Sequence, residues 1–141
     1  MLKGISNLLS PELLKILMEM GHGDELVLAD GNFPAASNAQ RLVRADGHGV
    51  PAILDALLPL FPLDYAVDFS AGLMDSRGVE PAIWKIYREK LSDYPPEGNK
   101  PFLVIPRFDF YERAKTAYCI VATGESEIFA NIILKKGIIY G

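Results

Sequence analysis

"PFLVIPRFDFYERAKTAYCIVATG", residues 101–124, sets two short apolar runs on either side of a charged, aromatic segment. "PFLVIP" reads as a strand, "DFYERAKTA" as a helix and "YCIVATG" as a second strand, with "NIILKKG" (131–137) supplying one strand more. Upstream, "PAIWKIYREKL" from Pro81 spaces Ile83, Ile86, Tyr87 and Leu91 around one helical face. "SDYPPEGNK" (92–100) cannot continue that helix and is a surface loop. "AVDFSAGLM" (66–74) mixes β-branched, aromatic and small residues and predicts another strand. The apolar segment from Pro51 to Phe61 is a buried helix, and "RLVRA" (41–45) alternates charged and apolar residues before an Asp46-Gly47 turn, as a strand does. "ELVLA" (25–29) is too short for a helical period before "DGNFP" and is a buried strand. "SPELLKILMEMG" opens the series as a helix with Ser10 as N-cap, Pro11 at its first position and Gly21 as its stop. Strands and helices alternate throughout, so residues 1–141 form a single α/β domain, a central mixed sheet flanked by helices on both faces.

Composition narrows the function classes. The chain is half hydrophobic, enough for one core, and its net charge of −4 comes with no Lys/Arg block, which argues against a nucleic-acid surface. The longest apolar stretch, Val50 to Leu63, is interrupted by Asp55, Pro59 and Pro62 and is core, not a membrane span. No targeting signal is recognisable at the N-terminus. Cys119 is the single cysteine, so there is neither a disulfide framework nor a thiolate cluster, and a reducing cytoplasm fits. His22, Asp24, Asp30, Asp46 and His48 fall close together but lack metal-ligand spacing, and "GHGDE" lacks the lysine and following helix of a nucleotide loop. The expectation is chemistry without metal or cofactor.

Three places carry the candidate chemistry. His22, between two glycines in the turn after the first helix, titrates nearest neutrality and suits a general acid or base; capping that helix is the alternative. Asp30 stands at a strand exit, where α/β folds assemble ligand sites, although a turn-forming role is also open to it. Arg107, with Asp109, Tyr111 and Glu112 beside it, can donate several fixed hydrogen bonds to hydroxyl oxygens or instead pair with Asp109 or Glu112. Phe108, Phe110 and Tyr111 suit packing, and Asn131 enters an apolar strand with an amide free for its own backbone or for a ligand. Geometry raises one difficulty: fully extended, residues 22 to 30 would separate His22 from Asp30 by about 26 Å. Both reach one small molecule only if the chain reverses between them or two subunits contribute.

"EMGHGDELVLADGNFPA", "RADG", "RFDFYERA" and "NIILKKG" together resemble the fucose mutarotase and ribose pyranase family over nearly the full chain. The resemblance implies cofactor-independent interconversion of sugar anomers by acid/base ring opening and reclosure. It implies His22 as proton donor, Asp30 and Arg107 as sugar ligands, and the Phe129-Ala130-Asn131 tripeptide as the segment closing over the sugar. The family's partners are a monosaccharide and further copies of the chain, in a decameric ring with sites near subunit boundaries. Arg107, within "RFDFYERA", favours the L-fucose branch over D-ribose, which remains the alternative. The chain departs from the pattern at Phe129, where the family usually has tyrosine; either Tyr111 or Tyr118 supplies the hydroxyl or that hydroxyl is dispensable, and a noncatalytic sugar-binding ring is the competing reading.

Overall fold

The computed structural model describes residues 1–141. Its elements run α1 (Pro11–Glu19), β1 (Glu25–Ala29), α2 (Ala35–Asn38), β2 (Leu42–Ala45), α3 (Val50–Leu57), β3 (Gly72–Met74), α4 (Ala82–Leu91), β4 (Leu103–Ile105), α5 (Arg107–Thr116), β5 (Cys119–Thr123) and β6 (Ile132–Lys135). One six-stranded sheet has the order β2-β5-β1-β6-β3-β4. β1 and β2 both pair with β5 in parallel, and β3 pairs with β4 in parallel. β6 lies between β1 and β3 and is antiparallel to both. The sheet is therefore mixed, and β6 alone starts at the edge where β1, β3 and β4 end.

The period-two alternation of the strands divides the core into two layers. Leu26 and Leu28 of β1 face a large cluster with Leu13 and Leu17 of α1, Ile53 and Leu57 of α3, and Tyr87 and Leu91 of α4. Val27 and Ala29 face the other way, onto Phe33, Ala35, Phe110 and Ala114 of the α2 and α5 layer. Both faces of the sheet are thus covered by helices. At α1 the Ser10 hydroxyl accepts the Leu13 N–H, and Pro11 occupies the first turn.

Three local expectations change. The short α2, directly after Pro34, has no counterpart in the sequence reading. On α4, Trp84 is buried and Ile86 is exposed, so the helix turns positions 83, 84, 87 and 91 inward. Only Gly72–Met74 of the expected strand 66–74 is in the sheet. Upstream, the polar backbone has other partners: the Asp64 carboxylate takes the Ala66 N–H, and Lys100 donates to the Tyr65 and Val67 carbonyls. Ser70 N–H donates to Pro101 O. These contacts hold residues 64–67 in a loop, and hydrogen bonding towards β4 begins only at Ser70 and Ala71, whose carbonyl accepts the Leu103 N–H. No helix is long and apolar enough to cross a membrane.

Candidate functional site

The sheet order fixes a line of polar residues along one edge. Asp30 follows β1, Asn131 precedes β6, Asp75 follows β3, and Arg107 opens α5 after β4. Because these four strands are consecutive neighbours, their termini converge on a cavity of about 460 Å³ at the carboxyl ends of the parallel strands, where open α/β sheets bind ligands. Asp30, Arg107, Tyr111, Phe129 and Asn131 all line it. Ala130 lies behind the wall, fully buried.

Asp30 is held by its neighbours. Its N–H donates to Asn131 Oδ1 at 2.7 Å, so the Asn131 amide serves the backbone of the adjacent strand exit. Its carboxylate accepts the Asn32 N–H at 3.0 Å in a local turn. Both of the roles weighed for Asp30 therefore coexist: a turn former whose carboxylate borders a cavity. Burial pushes its carboxyl above the ordinary value, against the opposing pull of the Asn32, Ala130 and Phe33 N–H groups and Asn131.

Arg107 forms no ion pair with Asp109 or Glu112. Its Nε donates to Tyr111 Oη at 3.1 Å, one helical turn on, and its guanidinium lies 5.5 Å from the Tyr111 ring and 5.6 Å from that of Phe108. Phe110 is core, whereas Phe108 is 73% exposed at the rim. Tyr111 packs against Phe33 across the cavity wall.

The tripeptide 129–131 is pinned from behind. Trp84 Nε1 donates to Phe129 O at 2.9 Å, and the buried Tyr87 hydroxyl donates to Ala130 O at 2.6 Å. These bonds hold Phe129 at φ 55°, a conformation that costs a residue with a Cβ about 1–2 kcal/mol. Burial, with Glu125 and Asp30 adding to it, raises the Tyr87 hydroxyl far above its ordinary range, so it is a donor and not an acid. Of the two tyrosines considered as substitutes at Phe129, Tyr111 shares the cavity and Tyr118 does not: its hydroxyl bonds Glu19, at the opposite edge of the sheet. The sequence reading missed Met74, Asp75 and Arg77 in the wall; "MDSRG" after a strand is the signal, a polar turn at a strand exit. The Cys119 thiol is buried and pushed up to about 12, which excludes it as a nucleophile at neutral pH.

His22 is absent from this cavity. It sits three residues before β1 and Asp30 one residue after it, so the strand alone, about 13 Å long, separates them. The chain does turn tightly over Gly21–Asp24, with the Asp24 N–H donating to Gly21 O, but this turn leaves His22 at the start of β1, outside the Asp30 cavity. Nor does His22 cap α1: its Nε2 lies 3.0 Å from Asp64 Oδ1, and its ring stacks on Tyr65 at 5.7 Å between centroids and 18° between planes. Burial would raise the Asp64 carboxyl, but the Ala66 N–H, His22 and Lys135 together hold it below the ordinary carboxylate value. Beyond Tyr65 runs an apolar groove walled by Phe61, Leu63, Ile138 and Tyr140. His48 is an exposed loop residue away from both places.

β6 runs between the Asp30 cavity and the His22–Asp64 pair. Asn131 at its start holds Asp30; at its end Lys136 O accepts the Gly23 N–H, and Lys135 O accepts the Asp64 N–H. Gly137 is required there because a Cβ would overlap the Leu63 carbonyl. "NIILKKG" thus spans from the Asp30 cavity to the His22–Asp64 pair.

Comparison with known proteins gives a consistent result. Residues 3–139 match the family described as the RbsD / FucU transport protein family. The fucose mutarotase of Danio rerio is 49% identical over 148 residues, covering 98% of this chain and 94% of the relative. The crystal structure of the fucose mutarotase from Streptococcus pneumoniae in complex with L-fucose superposes with a TM-score of 0.91 at 50% identity, over 99% of this chain and all of that one. Bacillus subtilis RbsD complexed with D-ribose shares the fold at a TM-score of 0.70 and 19% identity, over 99% of this chain and all of that one.

Proposed function

The chain belongs to the RbsD / FucU transport protein family, and from that membership we propose that it is an L-fucose mutarotase, a cofactor-independent isomerase acting at the anomeric carbon. The observation that carries the reading is the 50% identity to a fucose mutarotase solved with L-fucose bound, over essentially the whole of both chains. The 19% identity to the ribose-bound protein supports the fold alone, so D-ribose is the lesser reading.

The reaction requires a proton to leave the anomeric hydroxyl and another to reach the ring oxygen. The ring opens to the aldehyde, the bond to the carbonyl carbon rotates, and reclosure delivers the opposite anomer with no net proton change. Asp30 and Arg107 are the sugar-binding groups: a desolvated carboxylate that accepts from hydroxyls, and an unpaired guanidinium that donates to them. Phe129 and Asn131 close the wall over the sugar, with Ala130 buried behind them and Tyr111 supplying the hydroxyl beside Phe129. Met74, Phe33 and Phe129 offer the apolar surface that a 6-deoxy sugar's methyl group fits.

His22 supplies the proton, and it does so to a sugar bound by another copy of the chain. Two features support this. Within one copy, His22 and the Asp30 cavity occupy opposite ends of β1. Each half-site is also rimmed by exposed hydrophobics: Phe108 and Ile128 by Arg107, Tyr65 and Tyr140 by His22, as expected of surfaces that meet in an oligomer. A decameric ring with sites at subunit boundaries satisfies both, in a reducing cytoplasm suited to the lone buried thiol.

Exchange NMR of the α and β anomers tests the proposal. Addition of protein should speed exchange of L-fucose well above buffer and act more weakly on D-ribose. Binding of fucose without acceleration would establish a noncatalytic ring and overturn the enzymatic reading.

A further inference from the structure

Six arginines occur in the chain, and five of them have partners within it. Arg44, Arg88 and Arg113 pair with acidic side chains, Arg41 lies over the Tyr118 ring, and Arg107 Nε donates to Tyr111 Oη. The Arg77 guanidinium alone has no hydrogen-bonded, ionic or aromatic partner, and it lines the Asp30 cavity. Its place there is built by the strand exits. Leu28 of β1 and Leu73 of β3 both stand opposite Ile132 of the strand between them, so Asp30 and Asp75, each two residues further on, are level across β6. Two strand spacings separate them, about 10 Å. The turns they open are alike: Asp30 Oδ1 accepts the Asn32 N–H at 3.0 Å, and Asp75 Oδ1 accepts the Arg77 N–H at 3.1 Å. Arg77 thus holds on the β3 side the position that Asn32 holds on the β1 side, and both line the cavity.

The turn after β3 is held firmly. Asp75 N–H donates to Ile105 O at 2.8 Å, which sets the turn beside Pro106 and Arg107. Ser76 is buried, with its hydroxyl bonded to Val79 O, and Arg77 adopts φ 61° with Gly78 at φ 84°. That conformation is unfavourable for a residue with a Cβ and persists where the surroundings over-determine it.

We propose that Arg77 is a specificity-determining residue for the sugar, its guanidinium donating to the hydroxyls on the edge away from Asp30. The inference rests on the Asp30 cavity being the sugar site. A ring lying between the two level turns meets Asp30 and Asn32 on one side, and Asp75, Arg77 and Arg107 on the other. Each sugar hydroxyl both donates and accepts, so a carboxylate beside a guanidinium satisfies it in both directions. Asp30 and Asp75 balance the two guanidiniums, and the cavity therefore complements a neutral polyol and not an anionic sugar. The planar fork of Arg77 matches a pair of adjacent hydroxyl oxygens, and removing or inverting one of them breaks the match.

Titration calorimetry of the full-length protein with L-fucose and its 2-, 3- and 4-deoxy analogues tests the role, each analogue lacking one hydroxyl outside the anomeric centre. Arg77→Met, at an exposed position, should weaken L-fucose binding about tenfold. For the one or two analogues that lack a hydroxyl held by Arg77, that loss should shrink at least about threefold, and for the rest it should stay near tenfold. A purely structural effect of the substitution would act on all four sugars alike. Fucose binding within about twofold of the wild type, or one loss shared equally by every sugar, overturns the role of Arg77. A wild-type protein that binds no L-fucose overturns the sugar reading of the cavity and this inference with it, so the two failures are told apart.

Discussion

Replacing Tyr87 by phenylalanine isolates one contact behind the Asp30 cavity. The Tyr87 side chain is fully buried, and its hydroxyl donates at 2.6 Å to Ala130 O, itself buried. Phenylalanine keeps the ring and its packing, so no significant cavity opens; what remains is a buried carbonyl stripped of its donor. That loss costs about 1–3 kcal/mol. For a domain of this length it corresponds to a melting temperature lower by about 3–10 °C. The consequence for the site is more specific. Ala130 O and Phe129 O are the two tethers of a segment held at a positive φ, so loss of one loosens the wall over Asp30. Fucose affinity should fall severalfold while the His22 half-site is untouched. Urea unfolding of Tyr87→Phe, Trp84→Phe and the double variant measures the costs and their coupling, and calorimetric titration with fucose measures the affinity. A stability loss under about 0.5 kcal/mol with unchanged affinity would refute the idea that α4 holds the tripeptide in place.

Removing the Arg107 side chain should weaken fucose binding about 10- to 100-fold by titration, because the guanidinium has no carboxylate partner to lose. Asp30→Asn should stabilise the sugar-free protein at pH 7 but not at pH 3. Its carboxyl is raised by burial, so the cost of ionising it is absent below the ordinary Asp value and grows as pH climbs through the raised one; urea midpoints across that range check the sign. Asp64 has the opposite sign: its contribution is present above the ordinary value and lost as pH falls through the lowered one. Phe129→Tyr returns a hydroxyl to the cavity at a side chain only half buried, and should leave the melting temperature within about 2 °C while raising the exchange rate.

What could be read from the sequence follows the range of the forces involved. α1 was legible because Ser10, Pro11 and its leucines act within one or two turns, and the strand–helix–strand run from Leu103 to Thr123 because each piece has its own period. Residues 66–71 misled because their β-like composition is overruled by partners far along the chain, Lys100 and Pro101 among them. Asp30, Arg107, Tyr111, Phe129 and Asn131 of the cavity were named in the sequence, but Met74, Asp75 and Arg77 and the cavity's shape were not: these depend on β6 inserting antiparallel between β1 and β3, which no local pattern encodes. Arg107 looked suited to a surface ion pair by spacing, yet it turns to Tyr111 on the same helix. Asp64 was missed entirely. Its meaning comes from a histidine 42 residues away, and from burial that a single aspartate between Leu63 and Tyr65 does not announce. The separation of His22 from Asp30 was foreseen from chain length alone, since a strand's reach is fixed by geometry.

The central claim is that a working site takes His22 from one copy and Arg107 from another. His22→Ala and Arg107→Ala chains, each near inactive alone at low fucose, can be unfolded, mixed in equal amounts and refolded together, then assayed by anomer exchange NMR. Random assembly pairs an intact His22 with an intact Arg107 at about a quarter of the sites, so about a quarter of wild-type activity should return. A mixture as inactive as its two components would mean that each copy builds its site alone, contradicting the account.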